Sequence, residues 1–203
     1  MWYWIFSILF SVIGKTFFQL KVEGLKNIPS RTNFIIVANH FSFLDPLVIM
    51  AAVRKKIYCI ALRDIYKIKW MGWFLKMVET FPCGTASSIA VKLLSENKNV
   101  GLFPEGGVSR DGKLKEFRRG AALLAYKTGR PIVPCAILGA FESLPFGNSF
   151  PKMRPIKLKI GRPIYLTKEF DERIDELYLQ DGIFRIRNSI KEMLKCPITN
   201  LSK

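Results

Sequence analysis

The sequence predicts an α/β protein with a single domain, in which a mixed, largely parallel sheet is flanked by helices and preceded by an N-terminal membrane-associating helix. Short apolar runs typical of buried strands alternate with amphipathic stretches that end at glycine or proline. The 203 residues, 49% hydrophobic and 24% charged, are enough for one buried core and are typical of a folded chain. We therefore divide the chain into an N-terminal segment, 1–20, and a main domain, 21–203.

The N-terminal segment begins MWYWIFSILFSVIG and has no charged side chain before Lys15. As a helix this stretch is about 21 Å long, shorter than the roughly 30 Å hydrocarbon core of a bilayer. It lacks the basic start and the small-residue cleavage site of a secretory signal. We expect an interfacial anchor with Trp2, Tyr3 and Trp4 at headgroup level. The alternative is a helix that packs on the core.

The strands and helices of the main domain follow in alternation. Short apolar runs predict strands over 34–40, 56–62, 99–105, 131–139 and 156–166. Helical patterns cover 45–53, 86–97, 116–131 and 168–195, the last as one or two helices. Asp45 and Pro46 are typical of the N-cap and first turn of a helix. Gly129 and Pro131 are typical stop signals.

A second tryptophan-rich segment runs from Arg63 to Met77. On a helix its aromatic and methionine side chains would share one face, bordered by lysines. Such a face predicts a helix on a membrane surface. The commoner alternative is that the face packs in the core. The residues of this face are Tyr66, Trp70, Trp73, Phe74 and Met77, and the bordering lysines are Lys67, Lys69 and Lys76.

The net charge of +16 predicts a polyanionic partner, which could be anionic lipid, an acidic carrier or nucleic acid. The tryptophans cluster with apolar residues rather than alternating with cations, which favours a membrane over nucleic acid. We expect a peripheral or monotopic protein at the cytoplasmic face of the cell membrane. The cysteines are too widely spaced for a metal site or a disulfide framework and indicate free thiols in a reducing compartment; they are Cys59, Cys83, Cys135 and Cys196.

The stretch NHFSFLDP contains His40, the only histidine of the chain, ahead of Asp45. On a regular helix these two side chains would point about 140° apart. They can meet if His40 ends a strand and Asp45 begins the next helix, so that the carboxylate holds one imidazole nitrogen and the other acts as a general base. Ser42 lies in no nucleophile elbow, which favours attack by a substrate hydroxyl. The alternative is that Asp45 only caps the helix.

A glycine-rich stretch, FPEGG (103–107), begins at the carboxyl end of the predicted strand 99–105. It offers the carboxylate of Glu105 and the exposed backbone of Gly106. Glycines combined with basic side chains suit a phosphate-bearing ligand, although a solvated loop would have the same composition. The cations that follow are Arg110, Lys113, Lys115, Arg118 and Arg119.

Together the two stretches resemble the glycerolipid acyltransferase family, the 1-acylglycerol-3-phosphate acyltransferase type. His40 and Asp45 match its His-x4-Asp motif, and 103–106 match its Phe-Pro-Glu-Gly motif. Further matches are Phe117, Arg118, Gly120, Val133 and Pro134, so the resemblance covers roughly 20–165. The chain departs from the family at Gly107 and Val108, where Thr-Arg is usual. The family also usually has an arginine just after a short strand, and the corresponding region here, 80–88, has none.

The resemblance implies transfer of a fatty acyl group from acyl-coenzyme A or acyl-acyl carrier protein to 1-acyl-glycerol-3-phosphate, giving phosphatidic acid. His40 would be the general base and Asp45 would orient it, with no cofactor beyond the acyl donor. Glu105 and Gly106 would place the acceptor, and Arg110, Lys113 and Arg118 would replace the absent arginines. The alternatives are another lyso-lipid acceptor, a basic nucleic-acid-binding protein, and a membrane-surface protein without enzymatic activity.

Overall fold

The computed structural model describes residues 2–61, 63–67, 69–82, 86–148, 150–167 and 174–195, with the backbone alone at 70, 71, 86 and 87. The helices are α1 (Trp2–Phe17), α2 (Asp45–Ala52), α3 (Lys69–Met77), α4 (Ala86–Ser95), α5 (Gly120–Thr128), α6 (Ala140–Ser143) and α7 (Glu176–Lys195). The strands are β1 (Lys21–Glu23), β2 (Ile35–Ala38), β3 (Ile57–Ala61), β4 (Phe81–Pro82), β5 (Asn99–Leu102), β6 (Ile132–Leu138) and β7 (Lys157–Ile160).

The strands form one sheet in the order β1-β7-β6-β2-β5-β3-β4. Neighbouring strands run parallel except β6 and β7, which are antiparallel, so the predicted fold class is confirmed. β2 lies between β5 and β6. The connection after β2 leads to β3 on one side of it, and the connection after β5 leads back across β2 to β6 on the other side. Ligands of open α/β sheets bind at such a point.

The core lies on both faces of the sheet. All residues of β2 are buried because its side chains alternate between two apolar clusters. Ile35 and Val37 face the cluster formed with α4, α5 and α7. Ile36 and Ala38 face the cluster formed with α2 and β7. The buried thiol of Cys135 lies in the second cluster, and burial raises its pKa to about 12.

The helix α1 packs on α2 with one face and leaves the other exposed. Ser7 Oγ donates to the carbonyl of Met50 at 2.8 Å. Tyr3 is 2% exposed, and its hydroxyl accepts a hydrogen bond from the Ile57 amide at 3.1 Å. The expectation that Tyr3 lies at headgroup level is therefore wrong, because helical periodicity places it on the packed face. Among the described helices, no helix is both long and apolar enough to cross a bilayer.

The predicted helix over 63–77 is wrong as one element. Arg63–Lys67 forms a 3₁₀ turn, and α3 begins at Lys69. The chain folds back so that the Tyr66 carbonyl oxygen lies 2.6 Å from where a Cβ on Gly72 would stand. Among the described side chains of this segment, the aromatic ones consequently do not share one face. Phe74 packs on Phe6 of α1 with ring centroids 5.2 Å apart, whereas Trp73 is exposed.

Other boundaries differ from the predictions for local reasons. The predicted helix 116–131 begins only at Gly120, because the Arg118 amide donates to the Pro104 carbonyl at 2.8 Å. The predicted strand 156–166 is shortened to β7 with an isolated bridge at Ile164, since Pro163 has no amide hydrogen for a ladder. The short elements β1, β4 and α6 were not predicted.

Candidate active site

The two predicted motifs meet at one edge of the sheet. β2 and β5 are parallel neighbours, with Val37 paired to Leu102. His40 follows the end of β2, and Glu105 follows the end of β5. The juxtaposition expected for the carboxyl ends of parallel strands is therefore present.

His40 and Asp45 are in contact through the turn that joins β2 to α2. His40 Nδ1 lies 3.0 Å from Asp45 Oδ2. The same oxygen accepts hydrogen bonds from the amides of Phe41 at 2.7 Å and Ser42 at 2.8 Å. Asp45 is the first residue of α2, and no side-chain bond caps this helix. The prediction of Asp45 as N-cap is thus wrong, because its carboxylate binds back into the turn.

The carboxylate of Asp45 has no solvent exposure. Burial raises its pKa, whereas the hydrogen bond and charge of His40 and the two backbone amides act in the opposite direction. Among the described residues, Oδ1 has no hydrogen-bond partner. When Asp45 is ionised its carboxylate only accepts, so a neutral His40 imidazole in this contact carries its proton on Nδ1. Nε2 is then left with a free lone pair and can take a proton from a substrate.

The loop after β5 holds the main chain of His40 on both sides. The His40 amide donates to Glu105 Oε1 at 2.8 Å, and the His40 carbonyl accepts from the Ser109 amide at 2.7 Å. Glu105 Oε2 accepts from the Lys115 amide at 3.2 Å. Burial raises the pKa of Glu105, and these two amides oppose that shift. In this arrangement both carboxylate oxygens of Glu105 bind backbone, so its contact is with the protein.

Gly106 and Arg118 lie against each other beside this loop. Gly106 has φ +74°, a left-handed conformation that favours glycine. The Arg118 guanidinium occupies the space that a Cβ on Gly106 would need. The glycine thus brings an exposed cation next to the residue that anchors His40.

The other two predicted cations have different neighbours. The Arg110 guanidinium lies 5.2 Å from the centroid of the Phe146 ring. Lys113 lines a cleft beside Phe41. Ser42 is fully buried, and its hydroxyl donates to the Leu144 carbonyl at 2.8 Å, which gives it a structural role.

Three residues that support the dyad were not predicted. Asn39 is fully buried and bridges β2 to β6, donating to the Ile137 carbonyl at 3.0 Å and accepting from its amide at 2.7 Å. The Phe103 ring stacks on His40 with centroids 4.2 Å apart. Ser109 binds the His40 carbonyl. A polar amide directly after a buried strand is the one signal that could have indicated Asn39. Among the described residues, no group of three or more His, Cys, Asp or Glu could hold a metal ion.

Replacement of Glu105 with alanine is expected to destabilise the fold. It leaves the amides of His40 and Lys115 without their acceptor, which costs about 1–3 kcal/mol. At about 2–4 °C per kcal/mol for a chain of this size, the unfolding midpoint should fall by several degrees. Glu116→Ala is the matched control, because that side chain is 86% exposed. An unchanged midpoint would contradict the structural role of Glu105 and leave its carboxylate for contact with a substrate.

Comparison with known proteins places these motifs in a family. The sequence model of the family described as Acyltransferase matches residues 19–138. The chain is 31% identical over 162 residues to the chloroplastic 1-acyl-sn-glycerol-3-phosphate acyltransferase LPAT1 of Arabidopsis thaliana, covering 75% of this chain and 45% of the relative. It is 29% identical over 180 residues to the 1-acyl-sn-glycerol-3-phosphate acyltransferase of Bacillus subtilis (strain 168), covering 78% of this chain and 87% of that one.

A solved structure is similar over nearly the whole chain. The 1-acyl-sn-glycerophosphate (LPA) acyltransferase PlsC from Thermotoga maritima superposes with a TM-score of 0.75 at 27% identity. The match covers 97% of this chain and 81% of that chain. By contrast, the chain spans about half the length of the plant relatives it matches, at 45% and 47%.

Proposed function

Because the chain belongs to the Acyltransferase family, we propose that it transfers a fatty acyl group from an acyl thioester to the free hydroxyl of 1-acyl-glycerol-3-phosphate, giving phosphatidic acid. The observation that supports this proposal is the contact of His40 Nδ1 with Asp45 Oδ2 at the carboxyl end of β2. The relatives from Arabidopsis, Bacillus and Thermotoga bear names of this activity.

The proposed reaction uses the imidazole as a base and then as an acid. Nε2 of His40 takes the proton from the acceptor hydroxyl while the oxygen attacks the thioester carbonyl. The buried carboxylate of Asp45 stabilises the imidazolium that forms and fixes its orientation. The tetrahedral intermediate then collapses, the C–S bond breaks, and the imidazolium returns its proton to the leaving thiolate. The products are the ester and a free thiol, and no acyl-enzyme is formed.

The proposal is tested by transfer of a labelled acyl group to four acceptors. Acyl-coenzyme A and acyl-acyl carrier protein serve as donors, with lysophosphatidic acid, lysophosphatidylcholine, lysophosphatidylglycerol and monoacylglycerol as acceptors. Transfer to lysophosphatidic acid at the highest kcat/KM is expected. Preference for another lyso-lipid would contradict the proposed acceptor and keep the chemistry. No transfer with any pair would contradict the enzymatic proposal itself.

Arg118 is proposed to bind the acceptor phosphate from its position against Gly106. Its loss should remove a charge-assisted hydrogen bond worth about 1.5–3 kcal/mol. Arg118→Ala is therefore expected to raise the KM for lysophosphatidic acid by about tenfold or more, with little change for monoacylglycerol, which has no phosphate. Arg119→Ala, the neighbouring exposed arginine, is the matched control. Equal KM increases for both acceptors would show that Arg118 does not bind the phosphate.

We also propose that the chain binds an anionic membrane from the cytoplasmic side as a peripheral or monotopic protein. The outward face of α1 supports this proposal, since Trp2 is 52%, Ile8 67% and Val12 58% exposed. The net charge of +16 suits the anionic lipids of the cytoplasmic leaflet. The lyso-lipid acceptor would then enter from the membrane, and the acyl thioester or acyl carrier protein from the aqueous side.

The double variant Trp2→Ser/Trp4→Ser is expected to reduce binding to vesicles. Each indole that is partly buried in lipid contributes about 1–3 kcal/mol, so the loss of both should lower the partition coefficient by at least about tenfold. Cosedimentation with vesicles that contain phosphatidylglycerol measures this. Phe184→Ser is the control, because Phe184 is 68% exposed on α7, which packs on the opposite face of the sheet. An equal decrease in vesicle binding for Phe184→Ser would contradict the proposal that α1 is the membrane-binding element.

A further inference from the structure

A cleft of about 670 Å³ is lined on one side by Phe41, the residue that follows His40 in the chain. Phe41 belongs to the catalytic turn, so the cleft begins next to that turn. The remaining walls come from the loop around Gly112, the β6–α6 connection at Gly139, and the last turns of α7. Its volume lies within the range of about 300–1,000 Å³ that is usual for sites of small ligands.

The cleft combines an apolar lining with a group of cations. Its apolar residues are Phe41, Leu114, Phe141 and Leu194. Four of its lining residues are basic and one, Glu142, is acidic; the basic ones are Lys113, Arg154, Lys191 and Lys195. A ligand that suits this lining combines an anionic group with a less polar body.

One wall of the cleft depends on a close backbone approach. Gly112 has φ +69°, and a Cβ at this position would lie 2.9 Å from Cδ1 of Phe141. The loop that carries Lys113 therefore rests directly on the Phe141 ring. This wall is formed by contacts within the chain itself, as in a preformed site.

We propose that this cleft binds the phosphopantetheine arm of the acyl thioester, an inference that rests on the proposed function. This arm is common to coenzyme A and acyl carrier protein. Its sulfur carries the reacting carbonyl and its phosphate lies at the far end of an extended chain. In this proposal the thioester end lies at Phe41, next in the chain to His40, and the phosphate is bound by Lys191 and Lys195, one helical turn apart on α7. Lys195 pairs with Glu192 at 3.0 Å and would exchange that partner for the phosphate.

The acceptor phosphate fits this cleft less well. In lysophosphatidic acid the phosphate is attached to the carbon next to the one that bears the reacting hydroxyl. The two groups are therefore close together, and the phosphate must bind near His40. Arg118, against the loop that anchors His40, has that position. Lys191 and Lys195 of α7 suit instead a phosphate that a long arm joins to the reacting carbonyl.

The test is the double variant Lys191→Glu/Lys195→Glu against the matched control Lys92→Glu/Lys127→Glu, which reverses two exposed lysines on α4 and α5. Loss of phosphate contacts worth about 1.5–3 kcal/mol should raise the KM for both donors by about tenfold or more, with the KM for lysophosphatidic acid unchanged. A raised KM for the acceptor instead would overturn the proposal. An effect on only one donor would also overturn it, because the shared arm would then not be what the cations bind.

A direct binding measurement tests the cleft assignment without relying on acyl transfer. Titration calorimetry of the wild-type chain with 4′-phosphopantetheine should give binding that the Lys191→Glu/Lys195→Glu variant weakens by about tenfold or more. Pantetheine, which lacks the phosphate, should bind weakly and equally to both. If the wild-type chain transfers no acyl group but shows this pattern, the proposed function fails and the cleft assignment stands. Equal binding of phosphopantetheine to both proteins contradicts the cleft assignment alone.

Discussion

Replacing His40 with alanine is expected to lower kcat by about 10²- to 10⁴-fold, the contribution of a positioned general base. The fold should remain, because the anchoring bonds of this residue to Glu105 and Ser109 use main-chain atoms that alanine keeps. The amides of Phe41 and Ser42 also still bind Asp45. Single-turnover transfer from a labelled acyl thioester measures the chemical step, and thermal unfolding measures the fold.

Phe103→Leu is the matched control for His40→Ala. It removes the ring that stacks on the imidazole and keeps the base itself, so its kcat should fall far less. If His40→Ala retains most of the transfer rate at an unchanged unfolding midpoint, His40 is not the general base.

Asp45→Asn is expected to lower kcat to a similar extent, about 10²- to 10⁴-fold, without unfolding the protein. Three donors converge on Oδ2, namely His40 Nδ1 and the amides of Phe41 and Ser42. The asparagine carbonyl oxygen can accept all three in the place of Oδ2. Its NH₂ group then takes the place of Oδ1, which has no hydrogen-bond partner among the described residues. The geometry of the turn therefore survives, and the variant removes the charge that stabilises the imidazolium.

The effect of Asp45→Asn on stability has a definite sign. Burial raises the pKa of Asp45 in the folded state, so the folded chain binds its proton more tightly than the unfolded chain does. This contribution to stability is present at low pH and is lost as the pH rises through the folded pKa. The neutral asparagine avoids the loss. Its unfolding free energy relative to wild type should therefore increase from about pH 4 to about pH 8, as measured by urea denaturation. A relative stability that decreases over this range would contradict the burial effect.

The buried strands could be predicted from sequence because parallel strands with both faces covered read as continuous apolar runs. The dyad could be predicted because the histidine follows an apolar run typical of a strand and the aspartate stands where the next helix begins. The role of Glu105 could not, since its partners are backbone amides, which have no residue-type signature. The break of the 63–77 segment depends on Tyr66 approaching Gly72, a contact that helical periodicity does not encode. The cleft also could not be predicted, because its cations come from elements far apart in the chain.

The loop after β5 binds both the amide and the carbonyl of His40, and this limits the transfer of the active site to another scaffold. The turn that contains His40 and Asp45 is short and contiguous, which makes it look like a unit that could be grafted onto another scaffold. Yet the group that holds the His40 amide lies 65 residues away in the chain and reaches it only when β2 and β5 are paired. A grafted turn would carry both side chains of the dyad and lack the restraint on the histidine backbone. A working transplant would need the two adjacent strands and both of their outgoing loops.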